Sequence, residues 1–250
     1  MTITWTQPRL TVAISLFNYG HYIERAIESI CKQTIAHEIE LIIVNDASTD
    51  NSEEVVKLFK HNHRSLHQCL ASFYCKNNEV NRGLAEARNI AFSLASTANI
   101  LVLDADNFLV PQACEYLLAA LEAAPKEVGA VYPLLAVQGH PTQKIANELP
   151  WNPQTFLTGN YVDAMALVRL EAWERAGGFQ HTPGGWEDYD FWCRFIECGL
   201  KAQQVPKLLG CYQHHKNSMK NTETSMHKNE LLKLLQQRHP WLNLIAQQSK

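Results

Sequence analysis

The first 110 residues alternate short apolar, β-branched runs with longer stretches of helical period, and this narrows the possible folds more than any other feature of the chain. "LTVAISLF" leads to "GHYIERAIESICKQ", "IELIIVND" to "SEEVVKLFKHN", and "CLASFYC" to "GLAEARNIAFSLAS" and then "NILVLDAD". Runs this apolar fit strands buried on both faces, and a helix between consecutive strands makes their pairing parallel. We therefore expect an α/β chain built on a mostly parallel sheet covered by helices on both faces. In such sheets ligands bind beyond the carboxyl ends of the strands.

Three strand ends carry polar residues directly after an apolar run: Ser15 to Asn18, Asn45 to Asp50, and Asp104 to Asn107. Capping and turn chemistry accounts for Ser48 to Asn51, ahead of a helix starting near Ser52. It does not account for Asp46, which still belongs to its strand end. Nor does it explain Asp104 and Asp106, one alanine apart after "ILVL", because two like charges so close repel each other. Hard divalent cations such as Mg²⁺ and Mn²⁺ take carboxylate oxygens together with substrate phosphates, so a cation is the natural partner for such a pair.

The second half is less regular. After Pro111 a helix "QACEYLLAALEAA" precedes a strand "VGAVYPLL", and residues 138–162, with three prolines and no clear period, read as a long loop of the kind that covers a site. Regularity returns with "DAMALVRL", the helices "EAWERAGGF" and "EDYDFWCRFIECG", and strands near "KAQQV" and "LGCYQHH". In "GGWEDYDFWCRF" the acids Glu187, Asp188 and Asp190 stand at a helix N-terminus, where negative charge is favoured. The preceding "TPGG" would also let a substrate come close to a carboxylate. His214 and His215 fall at a strand end, where alternation turns at most one of them toward a shared site. The cluster His61, His63 and His67 follows an exposed, charged helix and reads as solvated.

Charge and cysteine content exclude several classes. Twenty-two basic against 25 acidic residues, a formal charge of −3, leave no electrostatic footprint for nucleic acid or an anionic membrane. Seven cysteines without a C-x-x-C pair read as reduced core thiols, neither a zinc site nor a disulfide framework. No run approaches the ~18 apolar residues of a membrane span, and "MTITWTQPRL" lacks a leader pattern. The expected location is cytoplasmic, with any membrane association supplied by a partner.

Taken in order, "ISLFNYGHYIERAIES", "ELIIVNDASTDNS", "NRGLAEARNIA", "ILVLDADN", "EAWERAGGF", "GGWEDYDFWCRF" and "CYQHHKNSM" resemble the GT-A fold glycosyltransferases of family 2, over roughly residues 9 to 219. The resemblance implies a GT-A nucleotide-diphospho-sugar transferase fold, with a parallel nucleotide half and a mixed acceptor-side half. It implies one domain over 1–250: a nucleotide-binding half of about 9–110, an acceptor-binding half of about 111–219, and a C-terminal helix of about 222–245. Ser15, Phe17 and Asn18 would then line the nucleotide pocket, with Phe17 where the family usually has tyrosine. Asp46 would contact the nucleoside, Asn81, Gly83 and Arg88 would flank base and phosphates, and Asp104 would lie near the ribose. Asp106 and His215 would hold Mn²⁺ or Mg²⁺. Glu187 and Trp186 would face the acceptor, and Asp188 would be the general base of an inverting transfer.

Departures are modest: Ser15 stands where many relatives have proline, and Asn107 where a third aspartate is common. The donor implied is a nucleotide diphosphate sugar, most readily a UDP-sugar, and the acceptor a glycan or other hydroxyl-bearing molecule. Processive synthases of the family carry Q-x-x-R-W and membrane helices. "QQRHPW" has those letters in another order, so a non-processive enzyme is expected. A catalytically inactive relative that binds sugar nucleotide or glycan is the alternative. A nucleotidyltransferase would need a glycine-rich basic loop after the first strand, where this chain has only Gly20. Trp151 and Trp186 have two uses open to them, stacking on sugar or core packing. The terminal "HKNELLKLLQQRHPWLNL" could pack on its own domain or on a partner.

Overall fold

The computed structural model describes residues 7–62, 69–215 and 223–244. Its first half follows the expected alternation: β1 (Leu10–Leu16), α1 (Gly20–Cys31), β2 (Ile39–Asn45), α2 (Ser52–Asn62), β3 (Ser72–Asn77), α3 (Leu84–Leu94) and β4 (Asn99–Asp104). Strands β3, β2, β1 and β4 pair in parallel, in that order. Period-two alternation divides each central strand between two cores. Leu10, Val12, Ile14, Leu41, Ile43, Leu101 and Leu103 join α1 and α2 on one face. Ala13, Ile42, Val44, Ile100 and Val102 meet α3 on the other. Burial on both faces is why these strands read as unbroken apolar runs.

The second half comprises β5 (Phe108–Leu109), α4 (Ala113–Ala123), β6 (Val128–Gln138), β7 (Ile145–Ala146), a 3-10 turn (Pro153–Thr158), β8 (Leu167–Arg169), α5 (Leu170–Arg175), α6 (Glu187–Glu197), β9 (Lys201–Gln213), α7 (Glu223–Met226) and α8 (Lys228–Arg238). Among the described residues the sheet runs β3-β2-β1-β4-β8-β6-β9-β5, with β7 on β6. Strand β8 lies antiparallel to β4 and β6, whereas β6 and β9 are parallel, so this half is mixed as expected.

Three expectations need correction. The strands near "KAQQV" and "LGCYQHH" are one strand, β9. Its register with β6 shifts between Pro133, paired with Val205, and Leu135, paired with Gly210. Pro206 falls in that irregular stretch, where a missing N–H costs no ladder bond. The loop at 138–162 contains β7 and the 3-10 turn, started by Asn152, whose side chain accepts from the Gln154 N–H at 3.0 Å. Within "DAMALVRL" only Leu167–Arg169 forms a strand. Of the histidine cluster, His63 and His67 lie outside the described residues, while His61 is exposed.

The C-terminal helix packs on its own chain. Leu232 and Leu235 join the core formed by α3, α5 and α6. Beyond it His239, 1% exposed, bridges two carboxylates: Nδ1 lies 2.7 Å from Glu197 Oε1, and Nε2 lies 3.3 Å from Asp190 Oδ1. Burial alone would lower its pKa, but these bonds outweigh burial and leave it raised. A histidine raised on folding stabilises fully below its unfolded value of about 6.5, and that stabilisation is lost as pH rises through the folded value. Thermal unfolding followed from pH 6 to 9 should therefore fall more steeply in the wild type than in His239→Gln. Parallel curves would rule out this linkage.

Candidate active site

A cleft of about 840 Å³ opens beyond the carboxyl ends of β1, β2 and β4. Its walls include Ser15, Phe17, Asn18, Asp46, Asn81, Gly83, Asp104, Asp106, Glu187 and His215. Ten of the thirteen residues singled out from sequence thus meet in one place. Arg88, Trp186 and Asp188 are not part of its lining.

The loops after β1, β2 and β3 hold each other through the polar residues that mark the strand ends. Asn18 Oδ1 accepts from the Thr49 N–H at 2.7 Å and the Asp50 N–H at 3.3 Å, while the Asn18 N–H donates to Ser48 Oγ at 3.0 Å. The Asp46 carboxylate accepts from Asn78 Nδ2 at 2.7 Å, from the Arg82 N–H at 2.9 Å and from the Gly83 N–H at 2.8 Å. Asp46 therefore clamps the segment 78–83 against the sheet. Asn18, Ala47 and Trp186 take left-handed backbone, at φ 59, 58 and 68°. Asparagine tolerates this region, but alanine and tryptophan are strained there at a cost of order 1 kcal/mol or more, and such strain concentrates at functional sites.

Arg88 is the buried cation of the site. Its Nη2 donates to Asp104 Oδ1 at 2.8 Å, and its guanidinium stands 5.3 Å from the Phe179 ring centroid. Glu187 and Asp188 also lie within reach of its charge. Asp106 faces His215, with Oδ2 3.0 Å from Nε2. Burial, then the neighbouring Asp104, push the Asp106 carboxyl up to about 7. His215 is stacked with Tyr22 at 5.3 Å and set edge-on to Tyr19 at 5.7 Å. Arg25 steadies the turn by donating through Nη2 to the Asp106 carbonyl at 2.8 Å.

On the opposite half, α6 brings Glu187 into the cleft, 5% exposed, and burial raises its carboxyl to about 7 against the pull of Arg88. Asp188 follows it in the first turn of the helix. Its Oδ2 accepts from Asn160 Nδ2 at 2.8 Å and its Oδ1 from the Tyr189 N–H at 2.8 Å, and burial raises its pKa despite Arg88. The structure places both tryptophans that had two uses open to them. Trp151 packs in the core against Phe156, Trp192 and Phe195, and Trp186 lies edge-on to Tyr189, outside the cleft lining.

Sequence reasoning passed over several residues. Tyr19, His21 and Tyr22 line the cleft, and their place directly after the β1 polar end was the available signal. Asp163 was passed over too. Its carboxyl is pushed up to about 7 by burial and by Asp104, and no sequence pattern distinguishes it from an ordinary loop acid.

Among the described residues no group of three or more His, Cys, Asp or Glu side chains gathers in a metal-binding arrangement. The donor set nevertheless fits a hard divalent cation. Asp106 and His215 converge, Asp104 is next to them, and the raised Asp106 carboxyl marks a place short of positive charge. Mg²⁺-type sites commonly use one or two protein ligands and take the rest from phosphates and water.

A parallel sheet with acids and a histidine at its carboxyl edge, meeting a mixed second half across one cleft, is the architecture of the GT-A glycosyltransferases. Staphylococcus aureus TarS 1–349 in complex with UDP-GlcNAc shares it, with a TM-score of 0.73 at 17% identity over 91% of this chain and 65% of that one. The mannosyltransferase PcManGT of Pyrobaculum calidifontis, in complex with GDP-Man and Mn²⁺, follows at 0.65 and 21% identity, covering 92% and 63%. Residues 11–176 match the family model described as Glycosyl transferase family 2, and the chain belongs to that family. It is 30% identical to a chondroitin synthase of Pasteurella multocida over 87% of its own length, and 29% identical to a hyaluronan synthase of the same species over 82%. The chain spans about a fifth of the length of these curated relatives, 22% and 20%.

Proposed function

We propose that this chain is a metal-dependent, inverting, non-processive glycosyltransferase that moves a sugar from a nucleoside diphosphate, uridine first, to an acceptor hydroxyl in glycan or polysaccharide synthesis. The observation that carries the reading is the single cleft shared by Asp104, Asp106 and His215 from one half and Glu187 from the other. A bound Mn²⁺ or Mg²⁺, held by Asp106 and His215, would supply charge stabilisation to the leaving diphosphate.

The protein's own groups divide the remaining work. Ser15, Phe17, Asn18 and the segment ordered by Asp46, with Asn81 and Gly83, receive the nucleoside. Arg88 pairs with Asp104 and aligns it toward the ribose. Glu187 orients the acceptor, and Asp188 accepts the proton of its hydroxyl as the new bond to the anomeric carbon forms and the bond to the diphosphate oxygen breaks. Burial favours that role, since a carboxylate with a raised pKa is a better base near neutrality. Trp186 contributes through its left-handed backbone, which turns the chain into α6. The chain acts as one domain, and its reduced cysteine thiols fit a reducing, cytoplasmic setting. No helix among the described residues is long and apolar enough to cross a membrane.

Calorimetric titration of UDP, GDP and dTDP, each with Mn²⁺ and with chelator, tests the reading. The expected outcome is tight binding of UDP that weakens at least about tenfold on chelation, a 1.4 kcal/mol change. No binding of any of the three would overturn it.

A further inference from the structure

Residues of α7 and α8 hold one wall of the cleft. That wall is the turn before α6, where His181, Thr182, Gly184 and Gly185 line the cavity. Its backbone is intrinsically loose, with positive φ at Gly184, Gly185 and Trp186. Within the turn, the Gly185 N–H reaches back to the Thr182 carbonyl at 3.3 Å. Thr182 Oγ1 also donates to the Gly185 carbonyl at 2.5 Å, and Asn89 on α3 brackets Phe179, donating through Nδ2 to its carbonyl and accepting from its N–H, both at 2.8 Å. Further anchors come from α6 and the C-terminal elements.

Arg238, at the end of α8, uses both arms of its guanidinium. Nη1 donates to Asp190 Oδ1 at 2.9 Å and Nη2 to the His181 carbonyl at 3.1 Å. Asp190 is 0% exposed, two positions beyond Asp188 on α6, and its other oxygen accepts from Arg194 Nε at 2.8 Å. Arg194 in turn donates to the Gly178 carbonyl at 2.6 Å, at the far end of the same turn. Ahead of α8, Thr224 Oγ1 donates to the Gly184 carbonyl at 2.6 Å. One planar side chain therefore ties a cleft-lining carbonyl to the helix that carries Glu187 and Asp188, and a threonine pins the same turn three residues on.

We propose that Arg238 is a positioning residue for the acceptor: it fixes the turn 179–186 relative to the start of α6, and so places the incoming hydroxyl of a glycan without touching either substrate. This rests on the transferase reading above. Lysine at this position retains the charge facing Asp190 but lacks the fork that reaches two acceptors at once.

The test measures acceptor KM and kcat in a nucleotide-release assay, UDP affinity by calorimetry and thermal stability, for wild type, Arg238→Gln, Arg238→Lys and Thr224→Val. Misplacement of about an ångström costs up to ~10²-fold, so Arg238→Gln should lower acceptor kcat/KM by roughly 10- to 100-fold while UDP affinity changes by less than about threefold. Arg238→Lys should recover thermal stability but not acceptor kcat/KM, and Thr224→Val should show a smaller loss of the same kind. Wild-type acceptor kcat/KM in Arg238→Lys and Thr224→Val would overturn the positioning role alone, even where Arg238→Gln fails to fold. Absence of wild-type transfer to any acceptor, with UDP bound, would overturn the transferase reading and this role with it.

Discussion

The Asp188→Asn substitution is expected to cut sugar transfer by about 10²–10⁴-fold, the range for removing a general base, while UDP affinity moves by less than about threefold. The asymmetry follows from where Asp188 stands. It lies in the first turn of α6, a helix of the second half, and its carboxylate is held by Asn160 and the Tyr189 N–H. Asparagine is nearly isosteric and can still accept from one of those donors, so folding should change little. Glu187→Gln is the necessary companion, because Glu187 is the member of the pair that lines the cleft. Near wild-type transfer in Asp188→Asn, together with a collapse in Glu187→Gln, would reassign the proton transfer to Glu187. Steady-state kinetics with a known acceptor decide between them.

Arg88→Met should show the largest effect on stability, a loss of about 3 kcal/mol, at the low end for breaking a buried ion pair because Asp104 keeps 28% of its side chain exposed. For a chain of this size that is a fall in Tm of roughly 6–12 °C. The methionine would fill much of the space, so the loss reflects stranded carboxylates more than a cavity. Glu187 and Asp188 both owe part of their ionisation to this guanidinium. Without it they relieve the strain by taking up protons, so the defect should shrink as pH falls toward 5 and grow toward 8. Thermal melts across that range test the account, and a defect independent of pH would refute it.

Strand and helix order in the first half was legible because each central strand is buried on both faces, which leaves an apolar run that only a covered parallel sheet can use. The second half was less legible for local reasons. Strand β9 contains Pro206 at a register shift, which from sequence reads as a break. Strand β5 has two residues and exists only because Phe108 and Leu109 meet Cys211 and Gly210. The site was largely legible because its acids and amides sit directly after apolar strands. Sequence position could not reveal the commitments of those side chains. Asp46 spends its oxygens on the segment 78–83, Trp151 goes to the core, and Trp186 matters for its backbone angle. Arg25 reaches the Asp106 carbonyl only through tertiary packing, which leaves no trace in local pattern.

The pairing of Asp106 with His215 spans 109 positions of sequence. Pairings so distant form late, since loop closure must precede any gain from contact. A chain synthesised only as far as residue 176 would hold the whole span matched by the family model, yet lack α6, β9 and α8. Its first four parallel strands can assemble from neighbouring units as they emerge. The histidine, the acid pair of α6 and the arginine that braces the turn all arrive afterwards, within the last third of the chain. Emergence of residues 187–238 is then what brings the second wall of the cleft to a sheet already assembled.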